Sequence, residues 1–245
     1  RRLADPLWFQ SLGCALGFDW HSSGVTTTVC GALKEALKRE GAELGLFAVG
    51  GKGRVARATP REILQICDHS GNDAAALTYV SRMVAKVDSA AVQDGYQLYH
   101  HCMFFTRDRA WAIVQQGMNG QNRYARRYHW LSEIVSDLVN EPHAAVCCDL
   151  QQPSLNMVAA ESEGSRGLVL DLSRLGFEGL KRQAEGALTM PAHHDVKASD
   201  LDLKRLAAVL QRTQDVHPSS FESLLAVPGV GPKTVRALSL IGELV

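Results

Sequence analysis

The sequence "PGVGPKT", residues 228–234, separates two apolar runs, residues 221–227 and 235–245. Its two glycines, Gly229 and Gly231, allow positive φ angles and a close approach of the backbone to another molecule. Pro232 suits the first turn of a helix, because the N–H that it lacks would have no helical partner there. The stretch therefore predicts a helix, a tight turn and a second helix.

The start of the second predicted helix is suited to binding an anion. Its first amides lie at the positive end of the helix dipole and have no partner within the helix. Lys233 adds a cation beside them. A phosphate oxygen is the ligand that we expect at this position.

This pattern resembles the helix-hairpin-helix, the nucleic-acid-binding element of many repair and recombination proteins, from Ser220 to the last residue. The resemblance rests on two glycines around an apolar residue, followed by Pro-Lys-Thr. It departs at Val235, where the family usually has a small residue. An ordinary tight connection between packed helices is the alternative. The DNA-contacting residues that the resemblance implies are Gly229, Val230, Gly231, Lys233 and Thr234.

Lys233 has a second candidate role. Bifunctional base-excision glycosylases carry their Schiff-base lysine in a segment similar to residues 229–234, and a desolvated lysine can act as a nucleophile. Many non-enzymatic hairpins use a lysine here to contact phosphate. We therefore interpret Lys233 as a phosphate contact before a nucleophile.

The composition limits the strength of any nucleic-acid binding. The 245 residues include 26 Lys and Arg and 26 Asp and Glu, so the formal net charge is zero. DNA binding must therefore come from local basic patches.

The cysteines and the ends of the chain indicate where the protein functions. Six cysteines are scattered without a Cys-x-x-Cys pair, which favours buried reduced thiols. No signal peptide and no apolar run of bilayer-spanning length is present. We expect a cytoplasmic protein without a membrane partner.

The chain starts without Met and stops inside a predicted helix, so we also expect it to be part of a longer protein.

The middle of the chain predicts a β-hairpin, because residues 96–106 and 110–116 are rich in aromatic and β-branched residues. Residues 143–150 and 167–172 also have the composition of strands. The predicted fold class is α+β: a mixed domain, residues 1–195, with a β-hairpin-containing sheet and flanking helices, and a helical module, residues 196–245.

Polar residues around this hairpin are the catalytic candidates: Asp88, Asp94, His101 and Gln115. Nucleases with a paired-carboxylate and lysine core show a similar order, but no lysine follows Gln116, so the resemblance is partial. A divalent metal ion such as Mg²⁺ is the cofactor that such carboxylates would hold. The adjacent residues His100-His101-Cys102 do not predict a zinc site, because neighbouring strand residues point apart and no second pair stands at zinc-site spacing. A metal site assembled from distant positions stays open.

Basic residues outside the glycine turn fall in two places. A helix predicted over residues 122–140 carries Arg123, Arg126 and Arg127 among aromatic residues, a pattern that favours DNA binding over a solvated helix face. Lys52 and Arg54 lie on a glycine-rich loop, where a phosphate contact and a solvated hairpin tip are equally consistent with the sequence.

The whole chain also resembles a prokaryotic domain-of-unknown-function family with a C-terminal helix-hairpin-helix. The resemblance is carried by "FDWHSSGVTTTVCGALKEAL", "VGGKGR", "VDSAAVQDGYQLYHH", "WAIVQQGMNGQNRYARRYHW" and "PGVGPKTVRALSL". This family resemblance does not indicate which reaction, if any, the protein catalyses. The function that we predict is a DNA-binding protein of DNA repair or genome maintenance, with nuclease or glycosylase-like chemistry left open. The alternatives are a non-enzymatic DNA- or protein-binding adaptor, and an enzyme that acts on a small phosphorylated substrate through the His21 and Lys52 loops.

Overall fold

The computed structural model describes residues 1–20, 22, 24–70, 73–150, 154–187 and 203–244. It is an α+β protein, as predicted. The chain divides into two compact units, with Arg1–Asp88, Asp94–Leu138 and Pro142–Pro153 in the first and Ser89–Gln93, Val139–Glu141 and Ser154–Val245 in the second. The predicted boundary between residues 195 and 196 lies outside the described residues.

The helices and strands are as follows in chain order. The helices are α1 (Pro6–Ala15), α2 (Val25–Leu44), α3 (Arg54–Ser70), α4 (Ala74–Lys86), α5 (Glu163–Arg174), α6 (Gly176–Ala187), α7 (Leu203–Val216), α8 (Phe221–Ala226) and α9 (Pro232–Leu244). The strands are β1 (Leu46–Lys52), β2 (Val92–Gln93), β3 (Gln97–Thr106), β4 (Trp111–Met118), β5 (Ala125–Leu131), β6 (Ala145–Cys147) and β7 (Leu155–Asn156).

The first unit is built on an antiparallel sheet of five strands in the order β1-β3-β4-β5-β6. The predicted hairpin is confirmed as β3 and β4, with Phe105 opposite Trp111. On one face, Cys102 and Phe104 pack with Phe9 of α1 and with α2. On the other, Ser81 of α4 bonds to His101 of β3. Because neighbouring strand residues point to opposite faces, His100 and His101 lie on different sides of the sheet.

The helix predicted over residues 122–140 is wrong, because residues 125–131 form β5. Tyr128 and Trp130 are fully buried on one face of the sheet, while Arg127 and His129 lie on the other. Burial on both faces of a sheet, which only tertiary structure provides, overrides the helical spacing that we saw in the sequence. The predicted strand over residues 143–150 contains the short strand β6.

The second unit is mainly helical. The strand predicted over residues 167–172 is wrong, because these residues lie in α5, which buries Val169 and Leu172 at helical spacing. β2 pairs with β7 in a small antiparallel sheet. The predicted pair of helices around the glycines is confirmed as α8 and α9, and α8 begins with a capping box between Ser220 and Ser223.

Among the described residues, no helix combines the length and the apolar character needed to cross a membrane.

Candidate functional site

The turn between α8 and α9 brings the predicted phosphate-contacting residues together in the second unit. Val230 is 1% exposed and its N–H donates to the Val227 carbonyl at 3.2 Å, which closes the turn. Gly229 has a φ of +96°. A Cβ there would lie 3.0 Å from a guanidinium nitrogen of Arg212 and 3.1 Å from Val209, so the fold itself requires glycine at this position.

Unlike at Gly229, packing does not require a glycine at position 231. A Cβ at Gly231 would meet nothing closer than the Gly229 carbonyl oxygen at 3.9 Å. The residue stands directly before the first turn of α9, where amide donors lack helical partners. The absence of a side chain here leaves the backbone open to a ligand.

Two exposed cations of α9 follow this turn. Lys233 is exposed in the first turn of α9, and the exposed Arg236 lies three residues later on the same side of the helix. Arg236 Nε donates to Gln93 Oε1 at 2.9 Å, and Gln93 Nε2 donates to the Pro232 carbonyl at 2.8 Å, so β2 holds the start of α9. Thr234, in contrast, is buried.

β5 places two of the three arginines predicted as one basic patch, Arg126 and Arg127, on opposite faces of the sheet. Arg126 is buried and donates to Asp94 Oδ2 at 2.6 Å and to the Leu150 carbonyl at 3.1 Å. Its guanidinium also lies 4.4 Å from the centre of the Tyr96 ring. This ion pair holds Arg126 inside the first unit, away from the surface.

Arg127 lies on the opposite face of the sheet with a different set of partners. Its guanidinium donates to His129 Nε2 and Gln10 Oε1, each at 2.8 Å, and lies 4.8 Å from the centre of the Phe9 ring. Thr26 and Cys147 also interact with it. None of these described partners is a carboxylate. Burial lowers the pKa of Arg127, and an anionic ligand would offset that cost.

Arg127 lines a cleft of about 540 Å³ in the first unit. Arg123 lines the same cleft, together with Trp20 and Tyr124, which are 46% and 41% exposed. Exposed aromatic rings and arginines together suit the stacking of bases and the pairing of phosphates. Asp149 also lines the cleft and would repel a phosphate near its carboxylate. The remaining lining residues are Pro6, Leu7, Gln10, Ser22, Thr26, Gln116, Ala125, Val146, Cys147 and Cys148.

Three of the four predicted catalytic residues meet in one buried network on the other face of the sheet. Asp88 accepts hydrogen bonds from Gln115 Nε2, from Trp130 Nε1 at 2.9 Å and from His143 Nε2 at 2.6 Å. His101 Nδ1 lies 2.7 Å from Gln115 Oε1. Because that oxygen can only accept, Nδ1 carries the proton and Nε2 accepts from Ser81 Oγ at 2.9 Å. Burial lowers the pKa of His101, which keeps this ring neutral.

Asp94, the fourth predicted catalytic residue, belongs to a separate cluster. Its Oδ2 accepts from Arg126 and from the Tyr128 hydroxyl, both at 2.6 Å, and its Oδ1 accepts from the Tyr96 amide at 3.0 Å. Each of the two carboxylates is thus occupied by protein donors. Asp88 and Asp94 are 0% and 4% exposed, so neither carboxylate is presented at the surface for Mg²⁺.

A cluster that could hold a metal combines residues from two elements of the first unit. Ligand atoms of Cys30, His100 and Cys102 all lie within 4.8 Å of one another, and all three residues are buried. His100 and His101 point to opposite faces of the sheet, so only one of the two adjacent histidines joins this cluster. The contribution of Cys30 from α2 was missed. The only signal in the sequence was His-x-Cys on a strand, which places His100 and Cys102 on one face.

The predicted glycine-rich loop consists mostly of a strand end and a helix start, and it is not a flexible turn. Gly50, Gly51 and Lys52 belong to β1, and Arg54 begins α3. The exposed Lys52 Nζ lies 5.7 Å from the centre of the Tyr99 ring. His21 lies outside the described residues, so its predicted pairing with Lys52 stays a prediction.

The sequence model of a family described as "Protein of unknown function (DUF763)" matches residues 1–245. No curated protein and no solved structure matches the chain.

Proposed function

We propose that this chain, which belongs to the DUF763 family, is a DNA-binding protein of DNA repair or genome maintenance. The observation that carries the proposal is the turn between α8 and α9. Gly231 has no packing reason to lack a side chain, and it stands beside the exposed Lys233 at the start of a helix of 13 residues. Backbone amides and a lysine in this arrangement suit a phosphate of the DNA backbone, in the manner of a helix-hairpin-helix.

The cleft of the first unit supports the same function independently. Arg123 and Arg127 supply positive charge, and the exposed rings of Trp20 and Tyr124 supply surfaces for bases. A duplex does not present unstacked bases, so this cleft favours a single-stranded or distorted segment. The zero net charge indicates that affinity depends on these two local surfaces.

A titration of labelled DNA with the full chain tests the proposal. We expect the variants Gly231→Ala and Lys233→Ala to bind DNA less tightly, because the first adds a methyl group where the backbone meets phosphate and the second removes a cation. Losing one phosphate contact should also reduce the slope of log K against log salt by about 1. Arg182→Ala, an exposed cation of α6, is the matched control. Unchanged affinity in both turn variants would contradict the assigned role of the turn.

A binding protein without chemistry is the second candidate. Asp88 and His101 are inaccessible and fully hydrogen-bonded, which favours a structural role for this network over a nuclease centre. Incubation with normal and damaged DNA, with and without Mg²⁺ or Mn²⁺, separates the two candidates, because cleavage of any substrate would reject the adaptor. Borohydride trapping on abasic DNA tests Lys233 as a nucleophile, since Lys233→Ala would then abolish the covalent product.

A further inference from the structure

The polar environment of His100 is at odds with an ordinary buried histidine. The side chain is 2% exposed, and both ring nitrogens are buried without a hydrogen-bond partner among the described residues. A buried polar group without a hydrogen-bond partner destabilises the folded protein, because it has lost its bonds to water. Buried histidines elsewhere in the unit are satisfied: His101 bonds to Ser81 and Gln115, and His129 bonds to Arg127 and the Leu3 carbonyl.

Two thiols face this unsatisfied ring. Cys102 shares a sheet face with His100, and Cys30 of α2 lies close enough to Cys102 for the two thiols to hydrogen-bond. At a tetrahedral zinc ion, with Zn–S of about 2.3 Å and Zn–N of about 2.0–2.1 Å, ligand atoms are about 3.5–3.8 Å apart. The three ligand atoms, all within 4.8 Å of one another, are close to this spacing.

We infer that Cys30, His100 and Cys102 bind one zinc ion in the first unit. Binding releases one proton from each thiol, so two thiolates and a neutral imidazole surround Zn²⁺ and the group carries no net charge. Such a neutral group suits a site where all three ligands are buried. The bond to zinc satisfies one ring nitrogen of His100 directly.

The zinc site borders the cleft that contains Arg127. Gln116, which lines the cleft, is the strand partner of His100. Thr26, another lining residue, lies one helical turn before Cys30 on α2. Three protein ligands leave the fourth tetrahedral position for a water or another small ligand, as in zinc sites with an open position.

Metal analysis of the full chain, produced without a histidine tag, tests the inference. We expect about one zinc per chain in the purified protein, and its loss in the double variant Cys30→Ser with Cys102→Ser. Cys67→Ser, which removes a buried cysteine of α3 outside the cluster, should keep the zinc. An equal zinc content in the double variant, or copper or iron at this stoichiometry in place of zinc, would overturn the assignment.

A second measurement on the unmutated chain keeps the test valid if the double variant does not fold. After removal of zinc by a chelator under reducing conditions, Co²⁺ should give the thiolate charge-transfer and visible bands of a tetrahedral site, and Zn²⁺ should abolish them. A wild-type chain without bound zinc and without cobalt bands, or with a Cys30–Cys102 disulfide by mass spectrometry, would reject the site.

Discussion

Asp88 accepts three hydrogen bonds within the buried network. Its carboxylate receives hydrogen bonds from Gln115, Trp130 and His143, which come from β4, β5 and the segment that precedes β6. One residue thus joins three parts of the first unit on the same face of the sheet. This arrangement stabilises the fold whether or not the protein is an enzyme.

Replacing Asp88 with Ala should lower the free energy of unfolding by about 3 kcal/mol or more, because three buried donors would lose their acceptor. Asp171→Ala is the matched control. Its carboxylate is 72% exposed and pairs with Arg174 one turn away, so we expect a loss of about 0.5 kcal/mol or less. Urea unfolding of both variants measures the difference. Similar losses of unfolding free energy in the two variants would show that the Asp88 network stabilises the fold no more than a surface ion pair does.

At the scale of single elements, Gly50 in β1 and Gly31 in α2 differ in whether the structure leaves room for a side chain. In β1, Gly50 has a φ of +89°, and a Cβ would lie 2.2 Å from the His101 carbonyl oxygen. Its own backbone is fixed by Glu62 Oε2, which accepts from the Gly50 N–H at 2.7 Å, and by Lys34, which donates to its carbonyl at 2.7 Å. Gly31 in α2 is exposed, and a Cβ there would meet no atom within 4 Å.

Alanine at these two glycines should therefore have opposite effects. Gly50→Ala should lower the free energy of unfolding by at least about 2 kcal/mol, since the backbone of β1 or β3 must shift. Gly31→Ala should raise it by up to about 1 kcal/mol, because alanine is the better helix former. Thermal or urea unfolding of both variants tests this pair, and a neutral Gly50→Ala would contradict the close approach of β1 to β3 at this position.

For the molecule as a whole, acid sensitivity should follow from histidines that are buried in neutral form. Burial and the neighbouring Arg127 lower the pKa of His129 to about 3, although Asp5 acts in the opposite direction. The usual pKa of histidine in an unfolded chain is about 6.5. Between these two values the unfolded chain binds a proton that the folded chain does not, so stability falls as pH decreases.

Because of this difference in pKa, protonation of His129 in the unfolded chain should lower the free energy of unfolding by about 2 kcal/mol between pH 7 and pH 5. His129→Gln can still accept from Arg127 and donate to the Leu3 carbonyl, the two bonds that the imidazole makes. Its stability should therefore depend less steeply on pH over this interval. Urea unfolding at both pH values measures the slope, and equal slopes in the two proteins would rule out His129 as a cause.

Local patterns in the sequence predicted those features that depend on near neighbours. The glycines and Pro232 predicted α8, the turn and α9, because positive φ and a missing N–H restrict the backbone whatever surrounds it. Alternating aromatic and β-branched residues predicted β3 and β4 and the α+β class. The period of two of a strand also places His100 and Cys102 on one face.

Tertiary structure determined what depends on distant partners. Residues 125–131 fit a helical pattern in isolation, yet they form β5, because pairing with β4 and burial on both sheet faces outweigh local preference. The same sheet separates Arg126 from Arg127, giving one an ion pair and the other a cleft. Cys30 reaches His100 and Cys102 only because α2 packs on the sheet. The sequence alone thus determined the turn that we propose contacts DNA, whereas long-range packing determined the cleft and the metal cluster.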